Sequence, residues 1–426
     1  MPDLKKMYRT VLDDHFPPEM KISFGDRTLV YKKRTWKIND GGDTVEKGLR
    51  YGENPGQEAA LYELVGGELT LGDCEFIRPG NGLVSALDED NLLQFGKHPG
   101  KINLTDLDSA ANILRYLSSP ACAIMKHNNP SGVAYGTDAA DAYARANAAD
   151  RLAAFGGAAV FNESVDKTAA EALASNYLEL VAAPEYGAGA LEILAARKNL
   201  RIVKLPKLTA VRDYAPLRFV DFKSLIDGGI IVQQSPLNRI KTVADFLPAS
   251  VTDKNGATVK IERAPTGAEL DDMLFGWAVE QGVTSNSVLF VKDGCTVGIG
   301  AGEQDRVGVA EIAIFKAYKK YADEIAFRRY GCLFFEAEIR VKEGSLSQAA
   351  LDEILAEAEK ARGGLTGGVA VSDAFFPKRD GVDACLKEGV RAIVQPGGSL
   401  ADKEVIAVCN AAGATMVFTG QRAFKH

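Results

Sequence analysis

The stretch 109–149, SAANILRYLSSPACAIMKHNNPSGVAYGTDAADAYARANAA, sets the fold class. Residues 109–117 and 137–149 space their apolar side chains at three and four, and the second segment opens on Thr137 and Asp138, side chains suited to capping free N–H groups. Between them Ala121 to Met125 is a short unbroken apolar run, which predicts a buried strand. The same alternation recurs. Helical spacing covers 306–322 and 345–361, and strands are expected at 158–161, 288–291, 392–394 and 415–418, each followed by a polar or glycine-rich loop. Such alternation defines an α/β protein with helices layered about a sheet. Residues 287–300 (SVLFVKDGCTVGIG) read as a hairpin, because Asp293-Gly294 splits two apolar runs and supplies the positive φ of a tight turn.

With 426 residues, 46% hydrophobic and 25% charged, the chain is long and apolar enough for two domains with sizeable cores, which excludes a disordered or fibrous protein. A soft boundary falls near residue 205, where Lys, Arg and Pro mix between two α/β regions. The first 48 residues, rich in charge and ending in Asp40-Gly41-Gly42-Asp43, read as a lead-in. The domain expectation is therefore 1–48, 49–205 and 206–426, the last two compatible with distant copies of one unit. A net charge of −7 is the wrong balance for nucleic-acid binding. The six cysteines, at 74, 122, 295, 332, 385 and 409, include no C-x-x-C pair and fit a reducing compartment. No signal peptide or membrane-spanning run is read, so a soluble cytoplasmic protein is expected.

Histidine occurs only at 15, 98, 127 and 426, which narrows the search for chemistry. His127 follows the apolar run 121–125 within CAIMKHNNPSGVAYG, so a Lys-His pair is expected on a loop leaving a core strand, where α/β sheets collect ligands. Lys126 disfavours imidazolium at its neighbour, keeping His127 available as a base, and can itself hold a phosphate or an oxyanion. Asn128, Asn129 and Ser131 add hydrogen-bonding groups, and Pro130 and Gly132 are expected to fix the turn. A polar turn with a surface lysine accounts for the same residues. LRYGENPGQ (49–57) could offer a guanidinium fork to a phosphate, although such a composition more often marks a turn. TSNS (284–287) and GIGAGEQDR (298–306) flank the hairpin, and the glycines do not have the G-x-G-x-x-G spacing. VSDAFFPKRDG (371–381) and QPGGSLAD (395–402) read as loops after strands, the second opening a helix capped by Ser399 or Asp402. The terminal QRAFKH (421–426) reads by itself as a frayed end. Motifs for zinc deamination, zinc proteolysis, P-loop ATP use and the serine-hydrolase elbow are absent.

Taken in order, LRYGENPGQ, KHNNPSGVAYG, DRLAAFGG, SNSV, GIGAGEQDR, SDAFFPKRDG, QPGGSLADKEVI and QRAFKH make residues 49–426 resemble the transformylase portion of bifunctional purine biosynthesis proteins. That portion is aminoimidazole carboxamide ribonucleotide (AICAR) formyltransferase. The resemblance implies a formyl group passing from 10-formyltetrahydrofolate to the 5-amino group of AICAR, without a catalytic metal. It implies two cytidine-deaminase-like α/β/α three-layer units lacking the zinc site, in a homodimer with shared active sites. The family's inosine monophosphate (IMP) cyclohydrolase domain has no room here, so a separate cyclohydrolase is expected.

Position by position, the resemblance makes Lys126, His127 and Asn286 catalytic. It assigns Arg50, Tyr51, Gly156, Glu179, Arg306, Arg422, Phe424 and His426 to the nucleotide, which turns the frayed tail into a buried one. Phe376, Pro377, Asp380, Pro396, Gly397, Gly398 and Ser399 fall to the folate. Departures from the family pattern are Lys378 for Phe, Ser131 for Cys, Glu179 for Asp, and Lys425 where the family has Arg or His. Two rivals stand beside this activity, formyl transfer fed by formate and ATP and a non-catalytic nucleotide-binding module, with cyclohydrolase activity as a third possibility.

Overall fold

The computed structural model describes residues 4–40, 43–252 and 254–426, so Gly41 and Gly42 lie outside the described residues. The chain forms two compact units, Met1–Ala111 with Gly157–Asn238, and Asn112–Gly156 with Arg239–His426. One boundary near 205 is thus replaced by three crossings. The reason is strand pairing: the hairpin that follows Ala121 joins strands of the C-terminal half, Ala134 facing Cys295.

The larger unit is built on a mixed sheet. Its strands are β1 (Ala121–Lys126), β2 (Asn129–Tyr135), β3 (Val288–Lys292), β4 (Cys295–Gly300), β5 (Val369–Ser372), β6 (Ala392–Gln395) and β7 (Thr415–Phe418). They run in the order β7-β6-β5-β3-β4-β2-β1, with the short edge strand Leu247–Pro248 beyond β7. The pairs among β5, β6 and β7 are parallel, and those from β5 through β3, β4 and β2 to β1 are antiparallel. The β3–β4 turn is the expected one, with Asp293 and Gly294 at φ 53° and 67°.

Because side chains alternate across a strand, both faces of this sheet must be covered. Val288, Phe290, Ala370, Ile393 and Met416 enter one core with Val309, Ala313, Ala317 and Ile406. The opposite face takes the helix Gly267–Glu280, where a Cβ on Gly276 would meet Val371 and Val291 side chains at 2.6 and 3.0 Å. Layered helices on both faces are the expected α/β architecture. The expected helices appear with shifted ends: Lys101–Leu114, Ala139–Ala149 capped by Asp138, Arg306–Tyr330, and Gln348–Lys360 capped by Ser347. The first begins eight residues before its expected start, because Leu104, Leu107, Ala111 and Leu114 already form a buried stripe that intervening Thr and Asp disguise. The third runs on to Gly331, whose left-handed φ of 65° closes it.

In the other unit Ala158–Phe161, Leu180–Ala183 and Arg201–Lys204 are parallel neighbours joined through helices Lys167–Ala174 and Ala190–Ala195, and Leu92–Gln94 pairs antiparallel at their edge. The supposed lead-in is integral to this unit. Glu19–Phe24, Arg27–Arg34 and Leu61–Gly66 form an antiparallel sheet over Leu29, Leu69 and Phe76, and Trp36 is fully buried.

The helix Arg306–Tyr330 lies so close on β4 that a Cβ on Gly300 would stand 2.2 Å from Val309 O. Gly300→Ala should therefore cost about 1–3 kcal/mol, read as a lower urea midpoint, whereas Gly267→Ala, with nothing within 4 Å, should leave the midpoint in place.

Candidate active site

β1 runs to Lys126 and β2 begins at the facing Asn129, so only two residues reverse the chain. A two-residue hairpin matched to right-handed strand twist needs φ above zero at both. His127 and Asn128 supply 56° and 62°. Asparagine accepts that region readily; a histidine is held there by the pairing around it. The imidazole stands exposed at the tip, with no hydrogen-bond partner among the described residues. Lys126 Nζ donates to Phe155 O at 2.7 Å, anchoring the ammonium to the FGG turn that contains Gly156. Pro130 and Gly132 do not make the turn. They lie in β2, where a Cβ on Gly132 would meet Ala146 O at 2.0 Å.

The other side of the hairpin is pinned to segment 284–287. Asn129 Oδ1 accepts from Thr284 N at 2.9 Å. Ser285 donates its hydroxyl to Asp373, and a cis peptide joins it to Asn286. Asn286 Oδ1 accepts from Arg306 Nη2 at 2.8 Å. A guanidinium has no acceptor, so this contact fixes the amide orientation and leaves the Asn286 NH2 as the group on offer.

Arg306 itself is not free to bind substrate. It is buried, and its Nη1 donates to Ser287 O, Ser372 Oγ and the Asp373 carboxylate. It positions Asn286. Glu280, wholly buried nearby, accepts from Ser287 Oγ at 2.9 Å. Burial, with the Asp373 charge adding to it, holds the Glu280 carboxyl well above the usual carboxylate range.

The tail is tethered, not frayed and not wholly buried. Lys425 O accepts from Ser285 N, and Lys425 Nζ donates to Asn128 O and Gly282 O, each at 2.9 Å. Ala423 is buried, while the side chains of Arg422, Phe424 and His426 alternate outward and are exposed, Arg422 lying over the Phe424 ring at 4.7 Å.

A cavity of about 330 Å³ lies against the hairpin, lined by Lys126, His127, Ser131, Asp150, Lys316 and Lys320 among others. Neither Lys316 nor Lys320 belongs to a motif legible in the sequence. Their four-residue spacing on a helix that begins at Arg306 was the available signal.

Of the residues assigned to folate, Phe376 is a core side chain, fully buried beneath Gly381, and cannot present its ring to a ligand. Its neighbour Phe375 is the exposed ring. Pro377, Lys378 and Asp380 are exposed, Pro396 is buried, and Gly397, Gly398 and Ser399 are at least partly open. Neither Ser399 nor Asp402 caps the helix Asp402–Ala411 at its N-cap, which is Ala401; instead Asp402 Oδ2 accepts from Gly398 N and Ser399 N at 2.7 and 3.0 Å and shapes the loop. Gln395 Oε1 accepts from Phe376 N and ties the two loops together.

Arg50, Tyr51 and Glu179 belong to the other unit and form a cluster there. The buried Arg50 guanidinium lies over the Tyr51 ring at 4.5 Å, and its Nε has no partner among the described residues. Glu179 is held by Asn103 Nδ2 at 3.0 Å and by Arg201 Nη1 at 3.3 Å. Burial draws the Arg201 guanidinium down to about 10, against the attraction of Glu179. No group of three His, Cys, Asp or Glu side chains able to hold a metal occurs among the described residues, and no described helix is long and apolar enough to cross a membrane.

These features define an α/β protein whose Lys-His turn, oriented asparagine and cationic cavity make an enzyme-like site. The sequence model of the AICARFT/IMPCHase bienzyme family matches residues 27–316, and the chain belongs to that family. It is 35% identical over 379 residues to the bifunctional purine biosynthesis protein PurH of Xanthomonas oryzae pv. oryzae strain PXO99A, covering 89% of this chain and 58% of that protein. The PurH of Magnetococcus marinus is 35% identical over 381 residues, 89% of this chain and 59% of its own. The chain thus spans under two thirds of the length of these relatives.

Two outcomes follow from the site's interior. The Glu280 proton stabilises the fold fully below the ordinary glutamate value of about 4.3, and that contribution is lost as pH rises toward the raised folded value. Urea midpoints at pH 5 and pH 8 should therefore show the wild type losing stability relative to Glu280→Gln as pH rises; parallel behaviour would refute the assignment. Lys425→Met should loosen the tail by about 1.5 kcal/mol or more, giving roughly tenfold faster trimming by carboxypeptidase.

Proposed function

We propose that this chain transfers the formyl group of 10-formyltetrahydrofolate to the 5-amino group of AICAR, yielding formyl-AICAR and tetrahydrofolate. The observation that carries this reading is the left-handed turn bearing Lys126 and His127, tied through Asn128 to the tail and standing in the same unit as an asparagine whose amide is already oriented. The amine is a weak nucleophile, its lone pair delocalised into the imidazole and carboxamide. Catalysis must therefore combine positioning, proton removal and oxyanion support.

The amine nitrogen attacks the formyl carbon, and His127 takes the amine proton as the tetrahedral adduct forms. Lys126 supports the oxyanion. The bond from carbon to folate N10 then breaks and N10 gains a proton. The NH2 of Asn286 donates to the substrate carboxamide oxygen. Arg50, Tyr51, Gly156 and Glu179 are assigned to the nucleotide, and Pro377, Asp380 and the 396–399 loop to the folate. The outward Arg422, Phe424 and His426 are surfaces left for substrate or for a second copy of the chain in a homodimer. Cytoplasmic purine synthesis is the setting, and ring closure belongs to a cyclohydrolase site outside these residues. Formyl transfer from formate and ATP is the alternative chemistry, distinguished by donor.

Purified protein given AICAR should release tetrahydrofolate from 10-formyltetrahydrofolate and leave formate with ATP unused. His127→Ala should lower turnover about 10²- to 10⁴-fold while AICAR still binds, as read by fluorescence titration. Full activity in that variant would reject His127 as the base.

A further inference from the structure

The cavity behind the hairpin carries two lysines, Lys316 and Lys320, that the catalytic steps leave unused, beside Lys126, which they employ. Its walls come from β1 and β2, from Ala149 and Asp150 at the end of the helix Ala139–Ala149, from Thr296–Ile299 of β4, and from the helix Arg306–Tyr330. Three lysines line it, Lys126, Lys316 and Lys320, with one acidic residue, Asp150. Lys320 is buried and its charge is met: Nζ lies 3.1 Å from Asp150 Oδ1 and 3.5 Å from Asp323 Oδ2. Asp150 Oδ1 also accepts from Ala153 N at 2.9 Å, so this oxygen is shared between Lys320 and the backbone. Lys126 is held by a neutral carbonyl. Lys316 is half-buried and has neither an ion pair nor a hydrogen bond among the described residues. Two cations without a counter-charge therefore face one cavity, in a chain whose net charge is −7.

Half-burying an ammonium costs part of its hydration, and a paired anion offsets that cost best. We propose that this cavity binds an oxyanion, with Lys316 as its principal contact and Lys126 as the second. At about 330 Å³ it sits at the small end of ligand sites, suited to one anionic group and its immediate attachment. Lysines present point charges, which suit a phosphate monoester or a carboxylate equally, without the planar selectivity of arginine. The identity of the anion's carrier rests on the proposed formyl transfer, in which one substrate brings a phosphate monoester and the other brings glutamyl carboxylates.

Calorimetric titration with inorganic phosphate tests the pocket without requiring turnover. Wild type should bind phosphate, Lys316→Met should bind it about tenfold more weakly, and Lys316→Arg should retain most of the affinity, with thermal unfolding confirming that both variants are folded. Equal affinity in wild type and Lys316→Met, or no binding to wild type at millimolar phosphate, overturns the proposal. In the turnover assay, phosphate competing with AICAR identifies the monoester as the natural occupant, and phosphate competing with the folate identifies the carboxylates. Competition with neither overturns it. Phosphate binding of the expected pattern in a protein that forms no tetrahydrofolate would sink the proposed reaction and leave the pocket standing.

Discussion

A buried ion pair governs the arrangement of the candidate site. Arg306 and Asp373 meet where both are almost wholly withdrawn from water, 6% and 0% exposed at their side chains. Taking two such charges out of solvent costs several kcal/mol each, and attraction between them offsets that cost only if the remaining donors and acceptors are also satisfied. Here they are: Arg306 reaches Ser287 O, Ser372 Oγ and Asn286 Oδ1, and Asp373 takes the Ser285 hydroxyl. The pair thereby fixes segment 285–287, and through Ser285 the backbone of Lys425. Geometry at the surface is inherited from charge in the interior.

The fold class was legible because its signal is local. Runs such as Val288–Val291 and Ala392–Val394 announce buried strands without knowledge of their neighbours, and Asp293-Gly294 announces its own turn. Partnership was not legible. Nothing in residues 121–135 says that they pair with a strand beginning at Cys295, so the crossings at 111, 156 and 238 were hidden behind a compositional change near 205. The turn at His127 was misassigned to Pro130 and Gly132 for a related reason: composition favours those residues as turn-formers, whereas pairing register leaves only His127 and Asn128 to do it.

At the site, residue types were easier to foresee than which way they face. Phe376 and Arg306 carry the right chemistry for ligand contact, yet alternation along the loop and the demand of Asp373 turn both inward. Four-residue spacing puts Lys316 and Lys320 on one helix face but does not say whether that face meets a cavity or water, and nothing in the sequence tells the exposed Phe375 ring from the buried Phe376. Membership of the bienzyme family accounts for the order of the motifs, while the contacts that each motif makes had to come from coordinates.

The Lys425 ammonium reaches a carbonyl 297 positions earlier in the chain, at the very turn that displays the histidine. At synthesis speeds of roughly 5–20 residues per second, that turn leaves the ribosome about 15–60 s before its anchor exists. For that interval the hairpin lacks this tie and rests on its strand pairing, on Phe155 O and then on Thr284 N as those segments follow. A turn that can form early is thus tied down late, by a residue far along the chain.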